Sequence, residues 1–199
     1  MSIGTDFNEV YEEFQPKILH YVARMTGIDE AEDITQEVFQ KVSLALEDFK
    51  GESKLSTWIY RIATNTALDR FRSKAFKHSS DQNTIEDSIE DRNVWAGRSK
   101  TPLDQKLIRK EMSECVTEFI DKLPPDYRTV ITLSELEGFK NREIAEILQV
   151  SLDVVKIRLH RARASLKKQF NNDCSFYRNE EGILACDRKP TCLKSKKSD

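Results

Sequence analysis

Residues 141–168, NREIAEILQVSLDVVKIRLHRARASLKK, constrain this chain more than any other stretch. Ile144, Ala145 and Leu148 make a short apolar helical face, and Gln149-Val150-Ser151 breaks it. A second helix follows, with Val155, Leu159, Ala162 and Leu166 three or four apart on one side. Its other side carries Lys156, Arg158, Arg161, Arg163, Lys167 and Lys168. A short helix, a tight turn and a basic second helix form the pattern of a DNA-binding helix-turn-helix, whose second helix enters the major groove. The plainer alternative is an amphipathic helix with a solvated basic face. The tight bihelical spacing weighs against it.

A DNA binder needs local rather than global positive charge. The formal net charge is only −2, although 33% of the 199 residues are charged. The charges are segregated: residues 81–91 carry five acids and no base, and residues 154–168 carry six Lys or Arg and no acid. No run approaches the roughly 20 apolar residues of a membrane span. The N-terminal MSIGTDFNEVYEEF is acidic and lacks the basic start and apolar core of a secretory signal. The expected location is the cytoplasm.

From Asp6 to Met25, Phe7, Val10, Tyr11, Phe14, Ile18, Val22 and Met25 repeat at helical spacing, and Pro16 is expected to bend or divide the segment. Gly27 is a plausible stop. Asp29-Glu30 opens a second helix running to about Glu47, with Ile34, Val38, Val42, Ala45 and Leu46 inward. Its polar side carries Asp33, Gln36, Glu37, Gln40 and Lys41 and, in isolation, reads as merely solvated. Residues 49–74 follow a Gly51 turn with Leu55, Ile59, Ile62, Ala63 and Thr66 inward. Trp58, Tyr60, Arg61, Asn65, Arg70 and Arg72 are expected outward. Aromatic faces, amides and arginines together suit unpaired bases, base edges and phosphates. Trp58 and Tyr60 fit equally well as core aromatics.

Residues 75–102 lose periodicity and read as a flexible, partly acidic linker. A helix is expected over 103–122, burying Leu107, Ile108, Met112, Cys115, Phe119 and Ile120, with Cys115 a small core residue. Pro124-Pro125 ends it and opens another helix, from Asp126 to Glu137, with Val130, Leu133 and Leu136 inward and Gly138 closing it. The expected fold class is all-α: two small helical domains, 1–74 and 103–170, joined by the linker 75–102, with a cysteine-containing tail at 171–199.

Taken in order, these stretches resemble the bacterial RNA polymerase sigma factors of the extracytoplasmic-function (group 4, sigma-70 family) type. AEDITQEVFQKV (31–42) resembles that family's polymerase-binding helix, and FKGESKLSTWIYRIATNTALDRFR (49–72) its promoter-melting, −10-reading segment. LPPDYRTVITLSELEGFKNREIAEIL (123–148) and VKIRLHRARASLK (155–167) resemble its −35-reading domain. The resemblance covers roughly residues 6–170. It implies that Asp33, Gln36, Glu37 and Gln40 bind the polymerase's largest subunit. It further implies that the loop Phe49–Leu55, with Phe49, Lys50 and Ser53, captures a flipped −10 base beside Asn65. Trp58, Tyr60, Arg61, Arg70 and Arg72 would then hold the melted strand. Lys156, Arg158, Arg161 and Arg163 would contact −35 phosphates and base edges, the former fixing register and the latter specifying sequence. The implied partners are core RNA polymerase, promoter DNA and an anti-sigma factor. No enzyme activity, cofactor or membrane insertion is implied.

Three positions, Gln149, Val154 and Ile157, depart from the family pattern. Gln149 stands where Gly is common at the turn, and the recognition helix opens Val154-Val155-Lys156-Ile157-Arg158 where Thr-Val-Lys-Ser-Arg is common. The tail holds Cys174, Cys186 and Cys192, spaced by eleven and five residues. That is not the CxxC spacing of zinc sites, which normally take four ligands. These cysteines are weak metal candidates. The tail reads as an extension with incidental thiols, a metal- or redox-responsive switch, or a docking segment for a regulator. A plain duplex-DNA regulator has no use for residues 31–72. A recombinase would need a nucleophile among clustered arginines, of which Tyr60 with Arg61, Arg70 and Arg72 is only a faint version. His20, His78 and His160 are scattered.

Overall fold

The computed structural model describes residues 6–77, 115–178, 182 and 184–189. Residues 103–114 of the helix expected over 103–122, most of the linker and Cys192 lie outside them. The described residues fall into two compact units, one of 6–77 with 124–160 and the other of 115–123 with 161–178 and 184–189.

In the first unit, α1 (Phe7–Thr26), α2 (Ile28–Ala45) and α3 (Leu55–Lys77) pack on one another. Asp6 caps α1, its carboxylate accepting the Asn8 N–H at 3.1 Å. α1 is a single helix through Pro16, which leaves only one carbonyl without its donor. Gly27, at φ 90°, stops α1 and leads into α2. The core joins Ile18, Tyr21, Val22 and Met25 to Ile34, Val38 and Val42, and to Ile59, Ala63 and Ala67. The stripe of α2 also takes in Ala31, Thr35 and Phe39, whereas Ala45 and Leu46 sit at its half-buried end. Inside this core the Tyr21 hydroxyl meets Thr64 Oγ1 at 2.8 Å, and burial pushes the phenol's pKa far up.

The same unit continues through α4 (Pro125–Ile131), opened by Pro at its first position, into a π-helical turn, Thr132–Leu136. The wider turn offsets the side-chain register by about a residue. Leu136, expected inward, is therefore 39% exposed, while Val130 and Leu133 are buried. Gly138, at φ 76°, ends the segment. α5 (Asn141–Leu148) packs on α3, burying Ile144 and Ile147. Gln149 then turns left-handed, at φ 53° and ψ 41°, and Ser151 Oγ accepts the Val154 N–H at the start of α6 (Leu152–Asp173). A β-carbon in that left-handed conformation costs roughly 1 kcal/mol. Gln149→Gly is therefore expected to raise the unfolding free energy by about 0.5–1 kcal/mol, read as a melting-temperature increase of a few degrees. An unchanged or lower melting temperature would show that the turn carries no strain.

In the second unit, residues 115–121 are helical and bury Phe119 and Ile120. Phe119 meets Phe170 of α6 edge-on at 4.9 Å. At its end α6 passes directly into β1 (Cys174–Arg178), which pairs antiparallel with β2 (Leu184–Arg188). This hairpin lies in the cysteine-containing tail, where no strand was expected. It is a small addition to an otherwise helical fold.

Candidate nucleic-acid interface

α2 presents Asp33, Gln36 and Gln40 exposed and Glu37 half-buried. Gln36 and Gln40 line an open groove of about 330 Å³ between α1 and α2, together with Tyr11 and Phe39, whose rings meet edge-on at 4.9 Å. Glu37 is already engaged, by Lys41 Nζ at 2.9 Å and Arg70 Nη2 at 3.9 Å. Three of the four carboxylate and amide groups are therefore exposed on α2, two of them at the edge of a groove that Tyr11 and Phe39 also line.

Phe49 and Trp58 pack with ring centroids 5.2 Å apart and planes tilted by 42°, so the loop between α2 and α3 is folded back on the first turn of α3. Gly51, at φ 71°, permits that fold. Lys50 is exposed and Ser53 half-buried. On α3, Asn65 and Arg70 are exposed and Arg61 is half-buried, with its Nε enclosed without an acceptor. Arg72 lies on α3 but its side chain lies outside the described residues.

Tyr60 departs from the outward placement expected of it. It is 4% exposed, its ring against Tyr21 at 5.1 Å and Phe139 at 4.7 Å, and its hydroxyl donates to Glu137 Oε2 at 2.7 Å. Burial and the Glu137 carboxylate hold its phenol protonated at any physiological pH. Tyr60 is a core residue that joins α3 to the segment before α5, and no base can stack on it here. Glu137 also takes Arg24 at 3.5 Å. A second link runs from Lys54, at the foot of α3, to Glu143 at 2.7 Å. Lys54, followed by the Lys140 backbone N–H, holds the Glu143 carboxyl below its ordinary range. Glu143 accepts that N–H at 2.9 Å and so also caps α5. Neither carboxylate stood out in the sequence, because each gains its role from a residue about 80 positions away.

α6 carries the four basic residues expected to meet duplex DNA. Arg161 and Arg163 are exposed. Lys156 pairs with Asp153 at 3.2 Å, and Arg158 with Asp126 of α4 at 2.5 Å. Ile157, one of the departures from the family pattern, is 52% exposed, and Val155, Leu159, Ala162 and Leu166 are buried as their spacing predicts. An aliphatic side chain thus stands among cations on a solvent-facing helix, able to meet a thymine methyl.

Comparison with known proteins decides what these surfaces belong to. The Sigma-70 region 2 family model matches residues 10–77, and the model for Sigma-70, region 4 matches residues 113–166. The ECF RNA polymerase sigma factor SigW of Bacillus subtilis is 34% identical over 168 residues, covering 83% of this chain and 89% of that protein. The chain belongs to the extracytoplasmic-function sigma factors of the sigma-70 family. The ECF RNA polymerase sigma-E factor of Escherichia coli strain K12 is 32% identical over 163 residues, 80% of this chain and 84% of that protein. The fold is shared with the sigma factor RpoE of Bartonella quintana, solved with the anti-sigma factor NepR. The match has a TM-score of 0.61 and 23% identity, over 83% of this chain and 97% of that one. It is shared also with CnrH, solved with the cytosolic domain of CnrY, at TM-score 0.57 and 24% identity over 84% and 88%. Sigma factors regulate transcription and are not catalytic enzymes, and those of this family work with core RNA polymerase and promoter DNA. Among the described residues, no helix is long and apolar enough to cross a membrane, and no three His, Cys, Asp or Glu side chains converge as metal ligands. Of the tail's metal candidates, Cys174 and Cys186 fall on the hairpin, and Cys192 lies outside the described residues.

Proposed function

We propose that this sigma factor directs core RNA polymerase to promoters by three surfaces, two in a domain of residues 1–74 and one in a domain of residues 103–170, the two domains joined by the linker 75–102. Asp33, Gln36, Glu37 and Gln40 dock on the polymerase's largest subunit. The loop Phe49–Leu55 receives one flipped −10 base, with Asn65 at its pocket, while Trp58, Arg61, Arg70 and Arg72 hold the melted strand. Lys156, Arg158, Arg161 and Arg163 bind the −35 duplex. The observation that carries this reading is the tilted Phe49–Trp58 pair, which sets an aromatic of the loop against one on the first turn of α3, the helix that exposes Asn65 and Arg70. Flipping a base costs a few kcal/mol, and aromatic stacking returns about 1–3 kcal/mol per base. Selectivity then comes from the hydrogen bonds that only the right base makes. An anti-sigma protein holds the factor inactive in the cytoplasm until a stress, such as one on the envelope, releases it. Complexes with NepR and CnrY in proteins of this fold support that regulation.

The test is capture of core polymerase followed by promoter-dependent transcription. Binding with a defined start site is expected; absence of either refutes the reading. Asn65→Ala is expected to slow open-complex formation about tenfold or more, the effect of losing about 1.4 kcal/mol or more of base contact, and to leave duplex −35 binding within twofold. Equal loss in both assays would remove Asn65 from the pocket.

A further inference from the structure

Cys115 stands alone in the sequence, 59 positions before Cys174, yet the fold brings three thiols together. Cys174 opens β1 opposite Arg188, and Cys186 on β2 lies opposite Phe176. Cross-strand partners project to the same side of a hairpin, so Cys174, Cys186 and Arg188 share one face. That face meets the helical residues 115–121: Arg188 Nη2 donates to Glu118 Oε2 at 2.5 Å and reaches Cys115 Sγ at 3.5 Å. Cys115 and Cys186 both lie near enough to Cys174 to raise its pKa. Cys174 is 4% exposed and Cys115 is half-buried, and all three are free thiols.

We propose that Cys115 and Cys174 form an oxidative modification site, at which a hydroperoxide converts the two thiols into a disulfide joining the 115–121 helix to the hairpin. The roles follow from the surroundings. Cys115 is the more accessible of the two, with the Arg188 guanidinium 3.5 Å from its sulfur, so it meets a peroxide first. Cys174 is enclosed, and burial and its thiol neighbours push it up to about 11, so at neutral pH it stays protonated and attacks peroxide slowly. In the first step the Cys115 thiolate attacks the peroxide's distal oxygen. The O–O bond breaks, Cys115 becomes a sulfenic acid, and the departing alkoxide or hydroxide takes a proton. In the second step the Cys174 sulfur displaces the sulfenic hydroxyl. The S–S bond forms, and the hydroxide leaves as water with the Cys174 proton. Two thiols lose two electrons and two hydrogens, and one peroxide is reduced.

Cys186 is the weaker partner. Cys174 is diagonal to it on the hairpin, where Cα atoms stand about 7–8 Å apart, beyond the usual span of a disulfide. A three-thiolate metal site is disfavoured because the three sulfurs do not converge on one point with metal-ligand geometry. The proposed bond would close the chain from 115 to 174 into a ring holding α4, α5 and α6, which is the whole helix-turn-helix.

The full chain is reduced, treated with one equivalent of hydrogen peroxide, blocked with N-ethylmaleimide and mapped by peptide mass spectrometry. Peptides linked through Cys115 and Cys174 are expected at tenfold or greater excess over any other intramolecular pair. Cys174→Ser should leave Cys115 as a sulfenic acid that dimedone traps, and Cys186→Ser should leave the cross-link unchanged. The proposal is overturned if the wild-type cross-link runs through Cys186 or Cys192. It is overturned equally if the four cysteines are blocked to the same extent after peroxide. The wild-type map decides between these outcomes even if a serine variant fails to fold.

Discussion

Reversing two charges on α6, Arg161→Glu with Arg163→Glu, is expected to weaken binding to duplex −35 DNA about a hundredfold or more. Each arginine lost from a phosphate or base edge costs about 1–3 kcal/mol, and the new carboxylates add repulsion. Both residues are exposed on the helix, and circular dichroism of the double variant checks that the fold is retained. Lys156 and Arg158 are poorer probes. Their cations already pair with Asp153 and Asp126, and Arg158 also ties α6 to α4. The measurement is affinity for promoter duplex across a range of salt. The slope of log affinity against log salt should flatten by about two, one for each phosphate contact removed. An unchanged slope would mean that neither arginine touches the backbone.

The second large effect is on stability. Leu159 is 1% exposed on the buried side of the same helix. Leu159→Ala should lower the unfolding free energy by about 2–5 kcal/mol through lost burial and the cavity left behind. Ile157→Ala, two residues away and half exposed, should change it by no more than about 0.5 kcal/mol. Urea titrations with matching slopes would give both values. If Ile157→Ala nevertheless weakens promoter binding, the aliphatic side chain meets a base. If it leaves promoter binding unchanged, the thymine contact is absent.

Where burial is one-sided, the sequence was readable. Val155, Leu159, Ala162 and Leu166 lie as their spacing predicts, because α6 has one buried stripe and a solvated remainder. α3 was harder. It contacts α1, α2 and α5, and Thr57, Ile59, Tyr60, Ala63, Thr64, Thr66 and Ala67 are all buried. With neighbours on several sides the period fades, and an aromatic in a helix enclosed this way gives no sign of which side it takes. Tyr60 was misplaced for that reason. Pro16 was read by its local rule, and it does not divide α1, which runs through it from Phe7 to Thr26. The hairpin carries charged and polar residues in short strands, so it lacks the apolar alternation that marks a strand. Its partner, the helix around Cys115, lies about 60 residues upstream, and no local pattern encodes that meeting. The expected roles of Asp33, Gln36 and Asn65 rested on family resemblance, since a solvated amide looks the same whether or not a partner will cover it.

The Lys54–Glu143 ion pair has a consequence for how binding should respond to electrolyte. It lies at the foot of the loop that would take up the −10 strand, and it fastens that loop to the helix-turn-helix. An exposed pair of this kind is weakened by screening within a Debye length of about 8–10 Å. Added electrolyte therefore loosens the internal fastening while it also weakens the attraction to phosphate. The two effects oppose each other wherever the −10 strand must displace Lys54 from Glu143. Melted-strand capture should then lose less affinity per decade of ionic strength than the number of cations on α3 alone would give.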